Sequence, residues 1–286
     1  MKIISISFLK KFFRSLFFLL SILILLFLAT VAFVYSVSMP SNERGWTLDQ
    51  AILPTAEFSG DNVTIKNIRN FSYTSETEYT PSYYDKTYNL NDLVSVDFIV
   101  EPLAPVAIAH TFVSFGFANG DYISVSVEIR KEKGESFSPM KGLLDQFELM
   151  YVVADERDVI RLRALHRQDT LYLYPTVVSK EKMRELFVGM LTRVNALAVK
   201  PEFYNTLNST CTTNIVDHIN GITKNRVPWD WRVLFPKDAD ELAYELGLID
   251  TSAPFLEVRA RSEVNEYVEK YQNEENFSIK IREHQR

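Results

Sequence analysis

The pattern of apolar and polar positions starts with a run that has no polar rhythm. Ser15 to Val37 carries no charge and consists mostly of Leu, Ile, Phe and Val. As a helix it would reach about 34 Å, enough for the apolar core of a bilayer. Residues 1–14 hold Lys2, Lys10, Lys11 and Arg14 and no acid. That basic flank predicts a cytoplasmic N-terminus with the remainder exported. A cleaved signal peptide is the rival, and Ser36-Val37-Ser38 would be its weak cleavage site. Its apolar part is usually about 7–15 residues, so the length here favours a retained anchor. No later stretch is long and apolar enough to span, so a single pass is expected.

Residues 38–60 read as a linker. Val63 to Phe71 and Val94 to Val100 alternate at period two and predict strands. The clearest signal is a hairpin, Val106 to Phe117 and Tyr122 to Arg130, around Ala118-Asn119-Gly120. A three-residue loop ending in Gly fits a type I turn plus bulge. This register sets Phe117 opposite Asp121 and therefore His110 opposite Glu128. Val113, Phe115 and Phe117 then share one face with Ile123, Val125, Val127 and Ile129, while His110, Phe112 and Ser114 share the other with Glu128, Ser126 and Ser124. Gln146 to Ala154 and Val159 to Leu165 read as a second hairpin around Asp155-Glu156-Arg157-Asp158, and Thr170 to Tyr174 as a short strand. Ser179 caps a helix whose stripe runs Met183, Leu186, Phe187, Met190, Leu191, Val194, Leu197. A shorter helix follows Asn208-Ser209-Thr210-Cys211, with Ile215, Val216 and Ile219 at helical spacing and Gly221 near its stop. Asp238 to Leu246 forms another, ended by Gly247. The last segment, 251–286, is a charged extension to which no chemistry is assigned.

Composition narrows the options. The net charge is −6, and the part beyond the basic flank is more acidic still. That argues against nucleic acid as a partner. One cysteine cannot form an internal disulfide, and with four scattered histidines it offers no metal-ligand spacing, so neither a metal nor another cofactor is expected. Ser209 or Thr210 as N-cap would put Cys211 in the first helical turn, where the dipole and free N–H groups favour a thiolate and can hold an oxyanion. The plain alternative is a small buried residue under a helix start. A catalytic thiol needs an imidazole. His218 is about 10.5 Å along the same helix, His166 sits among charges at a strand end, and His284 is in the tail. His110 remains, with Glu128 opposite to orient it. Tyr204, Asn205 and Asn214 flank the thiol and read as helix-capping neighbours more than substrate contacts. Arg130 and Arg157 read as salt-bridging groups more than a phosphate site.

Several segments together carry a resemblance. They are Ile65-Lys66-Asn67-Ile68-Arg69-Asn70-Phe71, Ala109-His110-Thr111-Phe112-Val113-Ser114-Phe115-Gly116-Phe117, Ser126-Val127-Glu128-Ile129-Arg130, Tyr151-Val152-Val153-Ala154-Asp155, Pro201-Glu202-Phe203-Tyr204-Asn205 and Cys211-Thr212-Thr213-Asn214. Over roughly residues 60–250 the chain resembles the Lnb N-terminal periplasmic domain, and its His-before-Cys order is similar to permuted NlpC/P60-like, papain-like enzymes. The resemblance implies an α+β fold, an antiparallel sheet with packed helices over 61–250 in a bacterial periplasm; the transmembrane anchor at 15–37, expected in the inner membrane, rests on the apolar run itself. It implies a periplasmic acyltransferase or hydrolase working through an acyl-thioester, with Cys211 as nucleophile and His110 as base; Glu128 as orienting acid rests on the hairpin register instead. The expected partner is phospholipid or lipoprotein at the membrane surface. A cell-wall cysteine peptidase or amidase, and a non-catalytic envelope binding domain, stay open beside it.

Overall fold

Strands that are apolar on both sides demand cover on both sides, and a sheet of that kind organises this molecule. The computed structural model describes residues 6–37, 39–103, 108–223 and 227–285. Lys2, Ser38 and the start of the anticipated strand at Val106 lie outside the described residues. The chain opens with α1 (Ile6–Val37), whose Lys10–Val31 stretch is long and apolar enough to cross a membrane. Strands β1 (Thr55–Ser59), β2 (Asn62–Arg69), β3 (Ser72–Tyr73), β4 (Tyr79–Thr80), β5 (Tyr83–Asn89), β6 (Leu93–Leu103), β7 (Ile108–Phe117) and β8 (Tyr122–Arg130) follow. Next come α2 (Pro139–Leu143), β9 (Phe147–Asp155), α3 (Glu156–Arg161), β10 (Tyr172–Pro175), α4 (Lys180–Val199), β11 (Phe203–Tyr204) and α5 (Cys211–Ile222). The chain closes with α6 (Trp231–Leu234), α7 (Ala239–Glu245), α8 (Phe255–Ser262), α9 (Asn265–Tyr271) and α10 (Phe277–Lys280).

The main sheet runs β1-β2-β9-β8-β7-β6-β10, with β5 also on β2 and β11 also on β9. Its pairings are antiparallel except where Arg69 of β2 meets Ala154 of β9. This is the α+β, mostly antiparallel architecture expected from the sequence. The hairpin register also holds: Gly116 faces Tyr122, Phe112 faces Ser126, and the Phe117 amide donates to the Asp121 carbonyl at 2.9 Å. Gly120 sits at φ +86°, a conformation that favours glycine.

Period two sends alternate residues of β7 to different sides. Val113, Phe115 and Phe117 join Val125, Val127 and Tyr151 under α4 and α5, where Phe187 and Ile215 meet them. Phe112 joins Met150, Val152 and Ile99 under α3, α9 and α10, with Val159, Ile160, Val268 and Phe277.

Three expectations change. Val159 to Leu165 is not a strand but α3, followed by a π-helical stretch over Leu162–Arg167. Asp155 is an N-cap, its carboxylate accepting from the Arg157 amide at 2.9 Å, with Glu156 and Asp158 in the first turn. The acids read as a turn thus start a helix. The 38–60 segment is tied to the domain instead of hanging free. Arg130 donates to the Gln50 and Ala51 carbonyls and to Asn42 Oδ1, each at 2.9 Å, and lies 4.3 Å from the Trp46 ring centroid. The charged extension is core as well: Phe277 and Ile281 are fully buried, and Arg282 bonds Asp97 and Glu156 beneath the sheet.

Candidate functional site

Cys211 stands where a small polar run turns into an apolar helix. Thr210 Oγ1 accepts from the Thr213 amide at 3.2 Å, and Thr213 Oγ1 accepts from the Thr210 amide at 2.7 Å. This reciprocal capping box fixes the first turn of α5. Cys211 is 8 % exposed, and its Sγ lies 3.8 Å from Thr212 Oγ1. Thr212 in turn meets Thr111 of β7, hydroxyl to hydroxyl, at 3.0 Å. Tyr204 is buried beside the thiol, and its phenol is pushed up by burial and then by Cys211. Asn214 Nδ2 donates to the Thr210 carbonyl at 2.8 Å and its Oδ1 accepts from Tyr151 at 3.1 Å, so it ties α5 to β9, while the cap itself is Thr210. Asn205 holds the preceding loop through Asp145 and the Leu207 amide.

The structure does not bring His110 to this thiol. Thr111 faces α5, so its neighbour His110 faces the other side of β7. There the ring stacks at 5.7 Å on Phe112, and Nε2 lies 2.7 Å from Ser126 Oγ. The Ser126 hydroxyl gives its proton to Glu128 Oε1 at 2.9 Å, so in this arrangement Nε2–H is the donor toward Ser126. Glu128 does face His110, as the register requires, but at 4.0 Å with Ser126 between them. Arg163 pairs with Glu128 at 3.0 Å and with Glu101 at 2.8 Å. Burial and the nearby Arg163 lower the His110 pKa to about 3, against the opposing pull of Glu128. Burial pushes the Glu128 carboxyl up, and Arg163 with Arg69 more than reverses it, leaving it well below the usual range. His110 and Glu128 therefore belong to a cationic and carboxylate cluster on the α3 side.

The other imidazoles are accounted for separately. His218 Nε2 lies 3.1 Å from the Tyr151 hydroxyl, and burial and then Arg193 lower its pKa to about 4. His284 stacks on Tyr267 at 3.6 Å, and His166 lies 6.0 Å from the Tyr73 ring. Among the described residues no group of three His, Cys, Asp or Glu is placed to hold a metal.

A feature that sequence reading missed is an apolar groove of about 270 Å³ along α5. Val96, Phe98 and Val113 form its floor, Ile215, Val216 and Ile219 one wall, and Leu242, Leu246 and Leu248 the opposite wall. Thr212, next to Cys211 in sequence, also lines it. The available signal was the second apolar side of α5, with Val216 and Ile219 beyond what the sheet contact needs.

Fold and site together define an α+β domain behind an apolar helix long enough to cross a membrane, with a thiol at a capped helix start and an apolar groove nearby. The chain belongs to the Lnb N-terminal periplasmic domain family, whose model matches residues 79–237, more than half of its length. No curated protein and no solved structure matches it. The family makes this a periplasmic, envelope-associated protein, and the apolar α1 fits a single-pass protein of the inner membrane.

Proposed function

We propose that this protein binds an acyl chain of a membrane lipid or lipoprotein in the α5 groove, on the periplasmic side of the inner membrane. The observation that carries this reading is the groove itself. Its walls are aliphatic and aromatic, it is open to one side, and it offers few polar partners to any ligand that is not mostly hydrocarbon. Burying hydrocarbon there gains roughly 0.8 kcal/mol per methylene. The test is photolabelling of the full chain in vesicles containing a diazirine-tagged phosphatidylethanolamine. Adducts are expected on peptides from α5 and residues 239–249, and Val216→Trp, which fills the groove, should remove them. Labelling that ignores this substitution would sink the reading.

A second reading keeps Cys211 as an acyl acceptor, because it begins a capped helix and its neighbour Thr212 lines the groove. The thiolate would attack the ester carbonyl, the alcohol would leave with a proton, and an amine or water would then release the thioester. In this conformation the proton acceptor for that step is not His110, which with Glu128 faces the other side. Labelled phospholipid should then give a hydroxylamine-sensitive adduct on the protein that Cys211→Ala lacks. Groove photolabelling that persists in Cys211→Ala with no such adduct would leave binding alone.

A further inference from the structure

The segment after α5 divides its apolar residues between two directions. Val227 and Val233 are buried and line the groove. Between and just beyond them, Trp229 is 83 % exposed, Trp231 51 % and Phe235 52 %. Trp231 and Phe235 stand one helical turn apart, joined by the Phe235 amide to Trp231 carbonyl bond at 2.8 Å. Isolated exposed apolar residues are ordinary, but three large aromatic side chains within seven positions at the lip of an apolar groove are not. Trp is the side chain that settles at the boundary between headgroups and hydrocarbon.

The tether keeps the domain that carries this lip beside the bilayer. The spanning stretch ends at Val31 and α1 continues to Val37, about 9 Å of further helix. Only residues 38–40 separate it from Ser41, whose amide donates to Glu148 of β9 at 3.1 Å. Those three residues reach at most about 11 Å. The domain is therefore leashed within roughly 20 Å of the bilayer at that corner, so lipid is its constant neighbour at high effective concentration.

The geometry points to Trp229, Trp231 and Phe235 as a lip that enters the interfacial layer of the membrane to which the chain is anchored. Charge does not drive the contact. Arg232 is held by Asp230 at 2.9 Å and by Glu245 at 2.7 Å, with Glu241 at 3.9 Å, so its charge is already matched within the protein. The docking is thus one of apolar burial, suited to zwitterionic lipid and indifferent to salt. It does not depend on what occupies the groove.

The test uses intrinsic fluorescence of the full chain in phosphatidylcholine vesicles, with ordinary or brominated acyl chains. The chain has three tryptophans, none in α1, and the third, Trp46, is buried against Arg130. Brominated lipid should lower the wild-type emission toward about one third of its value, as expected if the two lip tryptophans lie at the interface. A Trp229→Phe/Trp231→Phe double variant should emit equally in both lipids, and high salt should leave the wild-type result unchanged. Unquenched wild-type emission, or equal fractional quenching in the double variant, overturns the proposal. A lip that instead governs self-association, seen as a change in cross-linked dimer between wild type and double variant without quenching, overturns it too.

Discussion

At the scale of single residues, the side chains around β7 set opposite pH dependences within one cluster. His110 is held at a pKa of about 3 against an ordinary 6.5, so folding favours its neutral form. Its contribution is present above about 6.5 and is lost as pH falls toward about 3. Glu101 is wholly buried, with Oε1 lacking a hydrogen bond, and burial, against the pull of Arg163, raises it from 4.5 to about 7. Its contribution is present below about 4.5 and is lost as pH rises through about 7. Urea unfolding at pH 5 and pH 8 should separate them. Relative to wild type, Glu101→Gln should be more stabilised at pH 8 than at pH 5, and His110→Asn more stabilised at pH 5. Identical offsets at both pH values would refute both assignments. The pairing of His110 with Glu128 was legible from the hairpin, because Gly120 and the three-residue turn leave one register. Which side of the sheet that pair would occupy was not legible. Thr111 and His110 are both polar, both faces of β7 are buried, and only the Thr111–Thr212 contact shows which side α5 covers.

Among the elements, α4 and α5 are the ones the sequence specifies most fully. Ser179 and Thr210 both cap as their side chains allow, and the α4 stripe from Leu186 to Leu197 is buried as its spacing requires. Thr210→Ala removes an acceptor from the Thr213 amide, so chemical denaturation should show a loss of about 1 kcal/mol. Thr210→Ser should recover most of it, and an unchanged midpoint in the alanine variant would mean the box contributes nothing. The segment Val159 to Leu165 misled for a physical reason. A short apolar run fits a buried strand or a buried helix equally, and Asp155 decides between them through one bond to the Arg157 amide. The groove was hidden for a similar reason. Val216 and Ile219 look like ordinary core positions, and only the fold shows that they also meet Val227, Val233 and Leu242 along a groove.

For the molecule as a whole, the last 36 residues (251–286) turn from a charged tail into part of the core. Arg282 lies 3.9 Å from the Tyr122 ring centroid and bonds Asp97 at 2.9 Å and Glu156 at 2.9 Å, with all three charged groups buried. Arg282→Ala would strand two carboxylates under the sheet, and a loss of about 3–5 kcal/mol is expected in thermal or urea unfolding. A variant as stable as wild type would show that the charges relax to water. Nothing local announces this arginine, because its partners lie 185 and 126 positions away. The charge pattern of the segment looks solvated, and only Phe277 and Ile281 hint otherwise.

The three-residue leash between α1 and the domain has one more consequence. With α1 retained in the membrane, the domain samples a thin slab, and what it meets is counted per unit of surface and not per unit of volume. Competition among copies is then for area. On the lipid-binding reading proposed above, doubling the expressed amount should deplete a scarce lipid in that leaflet long before it changes anything dissolved in the surrounding fluid.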